Sequence, residues 1–434
     1  MDTNGIVYFV EKASDGSASR LRKVKDGQLT TVTSVPSPGR IDGLALDYDS
    51  LLFLSVAPAS GGGVTSTVYL GWVDPVTNAV TLLASLDLGA SYASGLAKDP
   101  ASDTIYYADP GLCVIMAGGI MAGVFGGQAP TPVAGTQGAG CGDNRHQNPA
   151  PNDPANNTDP AVGPALGTNV QLDLPYDVAF QPISMGGGLL FITDVGNRRV
   201  LALNTAGVAL GVGQRTLPPA MVITLAGTES STSPSGVVGN PPSTLGLCGP
   251  SAAAMVAGVL AFSDNCSPPS PTKGTILLVD FALGGASHGW TSLLGHDYHD
   301  AGMTGEFLSA SPSQGLDSLM LSGSLGLARG GPSNSLFVTD FVNRGVYEVA
   351  SPPLPAGMPV FTSMSWDPVA APQLATAAER TPVFSVPAPP EYVELQRAYF
   401  QVKAQKVQEW RAAGLTDAQI RVLVADLKDQ MLGE

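Results

Sequence analysis

The sequence predicts an all-β ring built from one repeated four-stranded unit and followed by a small helical tail. Three observations point there. Short apolar runs recur at regular spacing, broken by turn residues, and glycine (52) and proline (36) are plentiful. One phrase is written nearly twice: "LLFITDVGNRRVLAL" from Leu189 to Leu203 and "SLFVTDFVNRGVYEV" from Ser335 to Val349. The composition also changes abruptly after "VPAPP", Val386 to Pro390, beyond which glycine is absent until Gly414. Of the 434 residues, 44% are hydrophobic and 13% charged, ample for a core and too apolar for a disordered chain.

The unit is read strand by strand. A lead phrase comes first: "DGLALD" (Asp42 to Asp47), "SGLAKD" (Ser94 to Asp99), "PYDVAF" (Pro175 to Phe180) and "LGLARG" (Leu325 to Gly330). A second apolar strand follows, as "LLFLSV", "TIYYAD", "LLFITD", "VLAFSD" or "SLFVTD". Four of these end on aspartate, at Asp109, Asp194, Asp264 and Asp340. Third strands such as "VLALN" and "GVYEVA" come next, then fourth strands, with "TPVAGT" and "ITLAGT" as near twins. A lone meander of four strands cannot bury both faces, but copies packed radially can, which makes the expected fold a β-propeller. Units start near residues 41, 93, 174, 250 and 323.

A sixth unit is expected at the N-terminus, where "GIVYFVEK", "SRLRKV" and "LTTVTSV" supply three strands and no lead strand precedes them. An unpaired edge invites aggregation, so a strand from elsewhere should cover it. "TPVFSV", Thr381 to Val386, is the candidate, which sets the ring at residues 1–386 and the tail at 387–434.

These phrases resemble NHL-repeat propellers, whose blades carry a strand ending in aspartate and an asparagine–histidine–arginine turn. Asp194, Asn197 and Arg198 match that turn, as do Asp340, Asn343 and Arg344, whereas Asp109 is followed by "PGLC" and Asp264 by "NCSPPSPTKG". The resemblance implies a six-bladed ring used mostly as an interaction platform, with some relatives acting as enzymes or binding RNA. Read from the residues alone, the turn is architecture. An aspartate at a strand end accepts turn amides, asparagine tolerates the left-handed conformation, and arginine can fork onto the carboxylate. A catalytic set would be written once.

A net charge of −15 and a pI near 4.5 exclude broad binding to a phosphate backbone, so no nucleic-acid partner is expected. No apolar stretch is long enough to span a bilayer, and "MDTNGIVYFVEK" shows no signal peptide. Four cysteines allow two disulfides, Cys248 with Cys266 closing a local loop, or equally free buried thiols.

Candidates for chemistry are few. "GHDYHD" gathers His296, His299 and Asp300, which on a helical turn could present two imidazoles to calcium or another divalent metal. A solvated loop is the plainer account, and no cofactor is expected. Asp42, Asp173 and Asp177 lie near lead strands and could face a central channel, yet no glutamate–asparagine–aspartate set of a calcium-dependent propeller lactonase assembles by position. Loops 136–164 and 230–246 are long and polar, suited to a surface or glycan ligand or to passive decoration.

In the tail, Tyr392, Leu395, Tyr399, Val402 and Trp410 lie roughly along one side of a helix that ends at Gly414. "TDAQ", Thr416 to Gln419, is a capping box opening a second helix with Ile420, Leu423, Val424, Leu427 and Met431 on one stripe. So small a hairpin must cover these stripes on its own ring or on a protein partner. The Pro-rich lead tips the expectation toward a partner. The expectation from sequence is thus a non-enzymatic binding or structural module, docked into a virion or cell-surface assembly through its C-terminal helices. The alternative is a metal-dependent propeller hydrolase or lactonase.

Overall fold

Six sheets follow one another along the chain, each made almost wholly of strands adjacent in sequence. The computed structural model describes residues 6–12, 19–25, 28–33, 40–47, 50–58, 64–73, 78–88, 92–99, 104–121, 124–125, 130–136, 138, 140–144, 147, 149–150, 152–183, 187–212, 215–227, 246–256, 259–266, 273–280, 289–294, 324–329, 336–340, 345–350, 360–362, 399, 402–403, 405–406, 409–410, 413–415 and 417–432. The first sheet has three antiparallel strands, Val7–Lys12, Ser19–Lys25 and Gln28–Thr31. The other five open with a lead strand: Arg40–Asp47, Ser94–Lys98, Pro175–Pro182, Pro250–Val256 and Ser324–Arg329. In each of the five, the second strand pairs antiparallel with the lead strand and the third with the second. A two-stranded hairpin, Leu210–Val212 with Arg215–Leu217, is inserted within the fourth sheet.

The sheets stack face against face, and the alternation of strand side chains explains how. In the strand Gly188–Asp194 every residue is buried. Leu189 and Phe191 point toward the fifth sheet, in a cluster with Ala253, Met255, Phe262 and Leu277. Leu190 and Ile192 point the other way, in a cluster with Tyr106, Ala108 and Ile115 of the third sheet. Similar clusters join the second sheet to the third, the fifth to the sixth and the first to the second. A strand buried on both faces loses the polar alternation of a surface strand, which is why these runs read as continuously apolar. Each described lead strand also packs against the next lead strand, so the five are arranged around a common axis. The chain is mostly β and its fold is of the β-propeller type.

One irregularity repeats. Near the start of every lead strand the pairing register slips, between Ile41 and Gly43, Ser94 and Leu96, Pro175 and Asp177, Pro250 and Ala253, and Ser324 and Gly326. A bulge of this kind bends the strand and re-aims the skipped side chain. Asp42, Gly95 and Tyr176 are the skipped residues in three consecutive sheets.

Two cysteine findings correct or extend the sequence reading. Cys113 and Cys141 form a disulfide with a sequence separation of 28, a pairing that spacing did not suggest. Cys248 is also disulfide-bonded, and no free cysteine is found among the described residues. The side chain of Cys266 lies outside the description.

The tail contains the helix α1, Asp417–Leu432, preceded by helical residues at 399, 402–403, 405–406 and 409–410. Gly414, with φ of 80°, ends the earlier helical segment, and Leu415 N donates to Trp410 O at 3.1 Å. Ile420 and Val424 are buried against Trp410 and Leu415. Tyr399 is fully buried in the cluster of Val68, Leu70, Leu96, Ile105 and Tyr107, and Leu427 and Met431 pack against the same cluster. Tyr399 and Leu427, expected to face a partner, thus lie against the chain's own ring. Leu423 is half-buried. Tyr392, Leu395 and the expected closing strand 381–386 lie outside the described residues.

Candidate functional site

The repeated aspartates settle onto backbone. Asp109 Oδ1 accepts from Leu112 N at 2.9 Å, within the turn after its own strand. Asp194 Oδ1 accepts from Asp173 N at 2.8 Å, and Asp264 Oδ1 from Gly249 N at 2.7 Å. These last two carboxylates tie the end of the second strand to the segment entering the lead strand. All three aspartates are buried. Asn197 donates to Asp194 Oδ2 at 2.9 Å and to Gly142 O at 3.1 Å. Arg198 takes the left-handed conformation, φ 52°, and the carboxylate is gripped by the next residue, Arg199. The side chain of Asp340, along with Asn343 and Arg344, falls outside the described residues.

The loop expected to be polar and open is tied together. Within 136–164, buried Asn157 donates to Asp159 O, Gly163 O and Pro164 O and accepts from Ala150 N and Asp159 N. Asn144 clamps it to the segment before the fourth sheet's lead strand, donating to Asn169 O at 2.7 Å and accepting from Gln171 N at 2.9 Å. Most of loop 230–246 lies outside the description, as do His296, His299 and Asp300.

Where the bulged ends of the lead strands meet, a set of polar side chains converges. Arg40 opens the second sheet's lead strand, and its Nε donates to Asp42 Oδ2 at 2.7 Å. Its Nη2 donates to the hydroxyl of Tyr92, which leads into the third sheet. From the third sheet to the fourth, Ser94 Oγ donates to Tyr176 O at 2.8 Å. Burial pushes the Tyr176 phenol up, with Asp42 and Asp177 raising it further and Arg40 opposing them.

Asp177 reaches across three lead strands. Its Oδ1 accepts from Val178 N at 2.9 Å, and its Oδ2 from Ala253 N of the next sheet at 3.0 Å. On the opposite side its backbone lies so close to Gly95 that an added Cβ there would stand 2.6 Å from the Asp177 Cα. Burial pushes the Asp177 carboxyl up to about 7, against the pull of those two amides. The arrangement therefore holds one carboxylate paired with a guanidinium, one whose carboxyl burial raises to about 7, and two phenols.

Sequence reasoning had placed Asp42 and Asp177 near the channel and the structure brings them into one cluster; Asp173 instead lies beside the Cys113–Cys141 bridge. Arg40, Tyr92 and Tyr176 were missed. The signal available for them was position, immediately before or at the start of a lead phrase.

A divalent metal was also weighed. Calcium takes six to eight oxygen ligands. Among the described residues the one convergent group of His, Cys, Asp or Glu is Cys113, Cys141 and Asp173, whose sulfurs are joined to each other. At the axis, Asp42 is held by Arg40 and both Asp177 oxygens accept amides. The described residues do not fit a calcium cage, and no step is assigned to a metal.

No protein-family model matches the sequence, and no curated protein does. Solved structures do resemble the chain. The periplasmic gluconolactonase of Pseudomonas aeruginosa is 12% identical over 82% of each chain, with a TM-score of 0.44. Regucalcin, a calcium-binding protein from Agrobacterium tumefaciens, is 12% identical, over 78% of this chain and 79% of that one, at 0.38. A chain of a nidogen/laminin complex is 14% identical, over 80% and 89%, at 0.44.

The expectation of a non-enzymatic module is corrected by this finding: an enzyme stands among the structures that resemble it.

Proposed function

We propose that the chain is a hydrolytic enzyme acting on a small polar ester or lactone where the lead strands begin. One observation carries the reading. The lead strands of the second and fourth sheets and the segment before the third sheet's lead strand deliver Arg40, Asp42, Tyr92, Tyr176 and Asp177 to a single place, through bulges that a plain sheet would not need.

The chemistry follows from the groups. Hydrolysis of an ester needs a base to take a proton from the attacking water and donors to meet the oxyanion that develops on the carbonyl oxygen. Asp177, with its carboxyl at about 7, is the base in this reading. The phenols of Tyr92 and Tyr176 and the guanidinium of Arg40 are the donors. As the tetrahedral intermediate collapses, the carbon–oxygen bond to the leaving alcohol breaks. The proton taken by Asp177 then passes to that alcohol, and the carboxylate is restored.

A panel of sugar lactones and simple esters, followed by acid release, tests this. Turnover above the buffer rate is expected, and Asp177→Ala should lower it by about 100-fold or more. No turnover on any member by the wild-type chain would overturn the reading.

The finer architecture belongs to the same proposal. The ring has six blades of NHL-like type, the first completed by residues 381–386, and the C-terminal hairpin braces its flank. Deleting 381–386 should lower the melting temperature sharply, and an unchanged melt would remove the closing strand. The Cys113–Cys141 bridge and the bonded Cys248 support an oxidising location outside the cytoplasm.

A further inference from the structure

Arg40, whose guanidinium carbon lies 5.1 Å from the centroid of the Tyr92 ring, has a spare edge. Its Nε is taken by Asp42 and its Nη2 by Tyr92, so two of the five donor sites on its guanidinium are fixed. Among the described residues, no partner appears for Nη1. The Asp42 side chain is 5% exposed and that of Arg40 is 35% exposed. The cation is therefore aimed from behind by a buried acceptor and still meets solvent. We infer that Arg40 selects anionic ligands, so that this place takes small molecules bearing one carboxylate or phosphate. The inference rests on reading the cluster as a binding site, and it does not need that site to be hydrolytic.

Three physical points support it. A guanidinium held on one edge keeps a planar fork on the others, the geometry that matches a carboxylate or phosphate in two parallel bonds. Because its orientation is already fixed, little side-chain entropy remains to be lost when an anion arrives. The chain carries a net charge of −15, so a cation kept at the axis is not explained by solubility. Asp42 does not remove this capacity, since it occupies Nε and leaves the Nη1 edge open.

Calorimetric titration of the full chain tests this with four probes: D-gluconate, D-glucose 6-phosphate, D-glucose and inorganic phosphate. Either sugar anion should bind at least about tenfold more tightly than D-glucose, the scale of one charge-assisted hydrogen bond. A preference for gluconate marks a carboxylate site, and one for the sugar phosphate marks a phosphate site. Arg40→Gln should abolish the preference and Arg40→Lys should keep part of it. Should Arg40→Gln fail to fold, Tyr92→Phe keeps the ion pair, and weakening by a few-fold is expected.

Equal affinity for glucose and both sugar anions, no binding of either, or a preference untouched by these substitutions would overturn the inference. Binding of inorganic phosphate as tight as that of the sugar anions would also count against it. Arg40-dependent anion binding without lactone or ester turnover would leave this inference standing and remove the hydrolase. Turnover with no anion preference would do the reverse.

Discussion

Asp194 is bound by Arg199, the residue after the arginine that the repeated phrase brings forward. Nε of Arg199 stands 2.8 Å from Asp194 Oδ2, and both side chains are completely buried. Nη2 of Arg199 continues to Gln171 O at 2.8 Å. Arg198 supplies the turn, through its φ of 52°. The two arginines have divided what one was expected to do: one bends the chain and the other holds it.

This division predicts unequal outcomes at adjacent positions. Arg199→Ala leaves a buried carboxylate facing only Asn197 and a main-chain amide, and should cost about 3–5 kcal/mol. Arg198→Gly should cost clearly less, because glycine adopts positive φ without penalty. Urea melts of the two variants check this, and equal losses would return the main role to Arg198.

Gly95 should tolerate no side chain. An added Cβ would stand 2.5 Å from Asp177 Oδ1 and 2.8 Å from Tyr176 O, and φ at this residue is +55°. Gly95→Ala is expected to lose at least about 2 kcal/mol through overpacking and backbone strain together. Gly119→Ala is the matched control, since nothing lies within 4 Å of its would-be Cβ. Thermal melts of the pair should separate clearly. A Gly95→Ala chain as stable as the control would mean that the lead strands of the third and fourth sheets are not packed as described.

Much of the ring was legible in the sequence, and the reason is periodicity. Lead strands begin at Arg40, Ser94, Pro175, Pro250 and Ser324, each within a residue of where the repeated phrases place them. Phrases such as "LLFITD" leave little choice, because a run that apolar must be covered on both faces. The site was harder to see. Tyr92 lies 52 residues from Arg40 and meets it only because successive lead strands start side by side. Arg199 looked interchangeable with Arg198 because nothing local says which of two arginines will bend and which will pair. Cys113 and Cys141 were equally obscure, since a long loop must fold back before they meet.

Asp177 makes a prediction about pH. Burial holds its carboxyl at about 7, above the ordinary 3.8. Between about pH 4 and 7 the folded chain keeps a proton that the unfolded chain has released. The stability tied to the protonated group is therefore complete below pH 4 and is lost as pH rises through 7. The stability advantage of wild type over Asp177→Ala should shrink from pH 4.5 to pH 7.5, by up to a few kcal/mol at about 1.4 per unit. Melts across that range measure it. An advantage that grows with pH would show that the two amides from Val178 and Ala253 keep Asp177 ionised throughout. Any hydrolytic rate should rise with an inflection near 7 in the same window.

Tyr399 predicts what the tail does for the ring. Its side chain is wholly buried among residues of the second and third sheets, with Leu427 and Met431 against the same cluster. Tyr399→Ala removes a large ring from a packed interior and should destabilise the chain by about 3–5 kcal/mol. Truncation after residue 390 should do more, because it also uncovers the surface on which Leu427 and Met431 rest. That surface lies over Leu70 and Leu96, and an apolar patch laid bare there would favour self-association. Sedimentation and melting of the full and truncated chains distinguish the two roles open to the tail. A truncated chain that melts lower and aggregates marks the tail as part of the ring. One that melts unchanged and stays monomeric would show that the tail is dispensable to it, and would return Tyr399 to the service of a partner.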